Sequence, residues 1–143
     1  MRAFDRLASW SPLMLAALRV MTALLFIEHG TAKLFGFPAD PNVANIPLFS
    51  LIGLAGILEV FGGFLILIGL CTRPVAFVLA GFMAVAYFMA HAPKSFFPLL
   101  NNGDAAILFC FIFLYLMVAG PGSWSIDSLK SPEPIVTTPT RHM

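Results

Sequence analysis

The sequence predicts an all-α protein, a transmembrane antiparallel four-helix bundle with cytoplasmic termini. Three observations predict it: an apolar composition, four long apolar segments parted by polar turns, and an uneven placement of basic residues. Of 143 residues, 59% are hydrophobic and 10% are charged, where ordinary soluble domains carry roughly 25% charged residues. A small soluble particle cannot hide so much apolar surface, whereas a bilayer covers it. The net charge is +1 and there is no basic run, so no phosphate-tracking surface for nucleic acid is expected. The expected partners are the lipid bilayer and either further copies of the chain or a larger membrane complex.

The first apolar segment runs from about Ser11 to Phe35. Its charged start resembles a leader, but Arg19 interrupts the apolar region and no small-residue cleavage site follows, so it is expected to remain as a helix. "GFPADPNVANIP" is then a polar, Pro-containing loop. The second segment, Ile46 to Leu70, carries one charge, Glu59. "CTRP" is a tight turn with Pro74 suited to a helix start. The third segment, Pro74 to Ala90, has no charge and lies at the lower limit of spanning length, which is about 17 residues. "HAPKSFFPLLNNGD" links it to the fourth, Ala105 to Ala119, which is short unless Gly103 and Asp104 join it. "GPGSWSID" stops that helix with Gly and Pro. Lipid offers no partner to backbone N–H and C=O groups, so each run must be helical. None shows the alternating polarity of a barrel strand.

Orientation follows from the basic residues. With the N-terminus inside, Arg2, Arg6, Arg73, Lys130 and Arg141 are cytoplasmic, and Lys33 and Lys94 lie outside, as the positive-inside rule requires. Trp10 and Trp124 then flank the first and last helices on the cytoplasmic side as interfacial anchors. The expected organisation is a cytoplasmic segment 1–10, a four-helix membrane domain 11–120 and a cytoplasmic, partly disordered tail 121–143. The end of that tail, "SPEPIVTTPTRHM", is rich in Pro and Thr.

The charges inside the apolar runs are the candidate site. A charge at a helix centre costs roughly 2.5–3.5 kcal/mol, so it is paired, wetted or used. At 100° per residue, Arg19, Phe26, Gly30 and Lys33 share a stripe, with His29 beside it and Glu28 almost opposite Arg19. Gly56, Glu59, Gly62 and Gly63 share a face of the second segment, where small residues admit a close neighbour. By depth, Arg19 and His29 lie on either side of Glu59, and either one meets it through side-chain length. The bland interpretation is a structural Glu59–Arg19 ion pair that fixes helix register. The sharper one is a polar pocket of Arg19, His29, Lys33 and Glu59 for a quinone or a proton path. For Lys33 alone, snorkelling to the outer interface is the simplest expectation.

Tyr87 and His91 are four apart and share a face near the outer surface, a candidate rim with Asp104. Asn101 or Asn102 is a candidate cap for the fourth helix, and Asp104 suits the positive end of its dipole. His29 and His91 lie at similar depth, but axial ligation of haem b by the pair is disfavoured against commoner histidine roles. No metal site is expected, because no three or four ligands fall at known spacings. Cys71 and Cys110 form no C-x-x-C motif and are read as packing residues.

These motifs resemble the DoxX family of small bacterial four-helix membrane proteins. The resemblance runs from Arg19 to Asp127 and is carried by "HGTAKLFGF", "GILEVFGGFLILIGLCTRP" and "NNGDAAILFCFIFLYLMVAGPGSWSID". His29, Gly30, Lys33, Leu34, Phe35 and Gly36 fall in the first motif. Glu59, Gly62, Gly63 and Gly69 fall in the second, with Arg73 just after it. Asn102, Gly103, Asp104, Gly120, Pro121 and Gly122 fall in the last, followed by Ser125 and Asp127. Two departures stand out: Asp104 where Glu is frequent, and Glu28 as an added acid before the His. The resemblance implies a multi-pass protein of the bacterial inner (plasma) membrane. It further implies a subunit or accessory factor of a quinone-linked redox system, respiratory or thiosulfate-oxidising, and so part of a quinone-dependent oxidoreductase. His29 and Lys33 are then the candidate quinone donors. The alternatives are a non-catalytic assembly subunit of a larger membrane complex and, behind it, a small transporter, for which no inverted repeat is visible.

Overall fold

A computed structural model of the chain describes residues 6–43 and 46–130. Arg2, Arg141 and the expected disordered stretch 131–143 lie outside the described residues. Among the described residues the fold is all-α, with no strand. A 3₁₀ turn, Arg6–Trp10, leads into α1, Ser11–Phe35. A second 3₁₀ turn, Pro41–Val43, precedes α2, Leu51–Ile68. Then follow α3, Thr72–Ala86, a π-helical turn, Tyr87–His91, and the short α4, Pro98–Asn101. The chain continues through α5, Asp104–Ala119, and α6, Ile126–Lys130.

Helix ends follow local chemistry. Gly36 and Gly69 stop α1 and α2 at φ values of 64° and 66°, a left-handed conformation that glycine adopts without steric cost. Ser50 starts α2, its Oγ accepting from the Gly53 N–H. The segment from Ile46 to Ser50 therefore stays outside the second helix, which is shorter than its apolar run. Gly103 stands at the N-cap of α5 instead of Asn101 or Asn102. The reason is that Asn101 closes the separate helix α4, and Asn102 is left-handed at φ 55°. Asp104 does join α5 as its first residue, exposed at the positive end of the dipole.

Three helical stretches are long and apolar enough to cross a membrane: Leu7–Phe35, Leu51–Ile68 and Thr72–His91. The fourth apolar helix, α5, has 16 residues, about 24 Å at 1.5 Å per residue.

The helices pack mainly as two pairs, α1 on α2 and α3 on α5, with lesser contacts from α2 to α3 and from α1 to α5. Phe26 of α1 joins the pairs. Its ring meets those of Phe82, Phe109 and Phe113 edge-on at 6.4, 5.2 and 5.0 Å between centroids. Ala23, Ile66, Leu79 and Leu116 close around this cluster.

The core is apolar, but so is much of the outer surface, and a few polar groups are sealed inside. Arg19, Glu59 and Asn101 are buried, while Phe61, Phe77 and Phe111 are exposed. Water would oppose that surface, and hydrocarbon solvates it.

Candidate functional site

Two polar centres sit at different levels of the α1–α2 pair. At the first, Lys33 Nζ donates to Glu59 Oε1 at 2.5 Å, an ion pair that ties α1 to α2. The Glu59 side chain is 4% exposed and that of Lys33 is 20% exposed, so the acid is sealed and the base keeps one open side. Glu59 Oε2 is buried and finds no hydrogen-bond partner among the described residues. A buried carboxylate oxygen with no donor is costly, and each such atom requires a reason.

The seam around the pair is lined by small residues. Gly30 lies against Val60 and the Gly56 carbonyl, and Gly56 lies against Lys33 and Leu34. Gly63 faces Ala23 and Ile27 of α1, whereas Gly62 faces Leu79 of α3. The small face of α2 thus admits two neighbours, as its sequence spacing suggested.

Lys33 is therefore the partner that Glu59 finds, and Lys33 turns inward instead of snorkelling outward. Helical side chains lean toward the N-terminus of their own helix. Near the end of α1 that lean carries Lys33 back into the membrane-spanning region, toward Glu59. His29 stands one turn before Lys33, exposed, with its ring edge-on to Phe109 at 5.8 Å.

Arg19 belongs to the second centre, and the expected Glu59–Arg19 pair does not form. Arg19 is fully buried and donates to five backbone carbonyls. Nη1 reaches Ile66 O at 2.8 Å and Leu67 O at 2.5 Å. Nε reaches Pro121 O at 2.8 Å, and Nη2 reaches Ser123 O and Trp124 O at 3.2 and 2.7 Å. The same lean explains this: the side chain points toward the start of α1, where α2 ends, and it meets Leu67 O and also Ile66 O, which the Gly69 N–H shares. One guanidinium thus caps α2 and holds the loop after α5. Asp127 completes this end, its carboxylate accepting from the N–H groups of Cys71 and Thr72 at 2.9 and 2.8 Å. Burial opposes ionisation of Asp127, but Thr72, the Cys71 N–H and the Lys130 charge together outweigh it and hold the carboxyl below the usual carboxylate range.

At the opposite end, Tyr87 and His91 come together on the π-helical turn, their rings stacked at 6.4 Å. They gather around Asn101, which is fully buried. Asn101 Nδ2 donates to Ser95 O at 2.8 Å and to the Tyr87 hydroxyl at 3.4 Å, and its Oδ1 accepts from the Gly103 N–H. His91 Nδ1 lies 3.0 Å from Asn101 O. A carbonyl only accepts, so Nδ1 is the donor in this contact. Sequence reasoning assigned Asn101 only a cap; the dense Asn101–Asn102–Gly103 turn was the signal for its fuller role. Asp104 stands exposed beside this node with no side-chain cap bond at the start of α5.

A family model described as DoxX matches residues 14–92. An uncharacterized protein of Haemophilus influenzae is 38% identical over 128 residues, which is 87% of this chain and 96% of that relative. The inner membrane protein YqjF of Escherichia coli is 31% identical over 122 residues, which is 78% of this chain and 87% of that relative. No solved structure matches.

Proposed function

The chain belongs to the DoxX family, and on that premise we propose that it is an accessory subunit of a quinone-linked redox system. It is a multi-pass integral protein of the inner membrane. In this proposal α1, α2, α3 and α5 form an antiparallel four-helix bundle. Residues 11–120 are the membrane domain, and segments 1–10 and 121–143 face the cytoplasm. Further copies of the chain or a larger complex supply the electron donor.

The observation that carries this reading is the Lys33–Glu59 pair inside an apolar seam, with the Lys33 ammonium keeping an open side. A quinone headgroup presents carbonyl acceptors, and its tail needs apolar walls. Lys33 spends one N–H on Glu59 and keeps others at its open side. His29, one turn away, supplies a second polar tip beside Phe109. Lys33 and His29 would therefore bind and orient the headgroup, with Glu59 holding the charge of Lys33. A bound quinone supplies two-electron redox chemistry; the residues of this chain position it and manage charge around it. Arg19 takes no part in this pocket, since its donors are committed to backbone carbonyls. Tyr87, His91 and Asp104 are retained in the proposal as a separate rim.

Purified protein is expected to retain quinone through mild-detergent extraction, with His29→Ala and Glu59→Gln each lowering the retained amount. Equal retention in wild type and both variants would remove the pocket. A second reading is favoured by the same pair's position on the glycine seam: Lys33 and Glu59 lock helix register in a non-catalytic assembly subunit. It predicts that Glu59→Gln weakens assembly and leaves electron transfer in the assembled complex unchanged.

A further inference from the structure

At the end of the molecule opposite Lys33, a groove of about 410 Å³ opens between the start of α3 and α6. Its size lies within the usual range for ligand sites, about 300–1,000 Å³. Arg73 and Lys130 line it together with Thr72 and Ser128. Its acid, Asp127, is turned onto the Cys71 and Thr72 N–H groups, so its charge is already engaged by the helix start. Arg73 is exposed and spends Nη1 on the carbonyls of Met117 and Val118. Its Nη2 and Nε lie over Gly120 and meet no acceptor among the described residues, and Lys130 is exposed. The groove therefore holds two cations in different elements and one carboxylate, which the Cys71 and Thr72 N–H groups engage and Lys130 also attracts.

The depth of the groove identifies what it meets. Trp10 and Trp124 are 57% and 76% exposed and stand at this same end, where Ser123 N donates to Pro12 O and Asp127 N to Gly69 O. Exposed Trp rings at the ends of spanning helices sit at headgroup level. A basic recess at that level faces lipid phosphates, and anionic lipids are attracted to juxtamembrane Lys and Arg.

We propose that the Arg73–Lys130 groove binds the phosphate of an anionic phospholipid headgroup, fixing this end of the protein against the anionic leaflet surface. Arg73 Nε and Nη2 donate to the phosphate oxygens, and Lys130 adds a second charge across the groove. Ser128 Oγ already donates to Ser125 O, which leaves its lone pairs for a headgroup hydroxyl. The groove lies apart from the quinone pocket and does not depend on it.

The test uses full-length protein in neutral detergent, with binding of short-chain phosphatidylglycerol followed by native mass spectrometry and thermal shift. Short-chain phosphatidylcholine and inorganic phosphate are the comparison ligands. Phosphatidylglycerol is expected to bind and stabilise more than either. Lys130→Gln, at the exposed last residue of the short α6, is expected to weaken phosphatidylglycerol binding about fivefold while leaving the melting temperature without lipid unchanged. Arg73→Lys keeps the charge but loses the planar fork, and is expected to weaken binding as well. Equal binding of phosphatidylglycerol and phosphatidylcholine, or an unchanged preference in both variants, overturns the proposal. Stabilisation by inorganic phosphate equal to that by phosphatidylglycerol overturns the lipid assignment in favour of a soluble anion.

Discussion

At the residue scale, what the sequence concealed was side-chain direction. Spacing alone places Arg19, Gly30 and Lys33 on one stripe and Glu59 on a glycine-lined face; Arg19, Gly30 and Glu59 are buried and Lys33 is half-buried. Which base meets Glu59 depends on where each stem leans, and depth counting from Cα positions ignores that lean. Lys33 leans inward to the acid, and Arg19 leans away to Ile66 and Leu67. The pair is consequently exposed to a direct test. Lys33→Met leaves Glu59 buried without a cation, and is expected to cost about 3–5 kcal/mol. The double variant Lys33→Met, Glu59→Met removes both desolvation penalties and is expected to recover most of that loss. Unfolding midpoints in detergent for the wild type, the single and the double variant measure it. A double variant as unstable as the single one would mean that the unpaired buried acid is not what makes Lys33→Met costly.

At the element scale, the four apolar helices were legible because hydrocarbon leaves a long apolar run no other fold. Their ends were less so. The second helix begins only at Leu51, because Ser50 supplies the cap. The link before α5 contains α4 and a buried asparagine, because Asn101 satisfies three local groups that no periodicity reveals. The approach of α1 to α2 depends on Gly30, where a Cβ would fall 2.7 Å from Val60 Cγ2 and 2.8 Å from Gly56 O. The second contact is backbone, so the helices must part. Gly30→Ala is expected to cost about 1–3 kcal/mol. Gly81→Ala, placed in α3 where a Cβ meets nothing within 4 Å, is expected to be neutral or to stabilise by up to about 1 kcal/mol. Thermal melts of the two variants in one detergent compare them. Equal melting temperatures would show that the α1–α2 seam tolerates separation.

At the scale of the whole molecule, the two ends differ in chemistry. One end gathers the start of α1, the close of α2, the start of α3 and the loop after α5 around Arg19 and Asp127. Arg73 and Lys130 stand at this end, exposed. Lys94 lies in the turn beyond His91, beside the Asn101 node. Basic residues are retained on the cytoplasmic side during insertion, so the Arg19 end is expected to face the cytoplasm and the Asn101 node the opposite compartment. Cys71 is a native probe of this orientation, because it is exposed at the start of α3 while Cys110 lies partly buried within α5. In a Cys110→Ser background, a membrane-impermeant maleimide is expected to leave Cys71 unlabelled in intact spheroplasts and to label it in inverted membrane vesicles. Labelling in spheroplasts would reverse the orientation, and with it the leaflet whose headgroups reach Arg73 and Lys130. The Lys33–Glu59 pair would survive that reversal, since it is set by the α1–α2 seam and not by which face of the membrane lies inside.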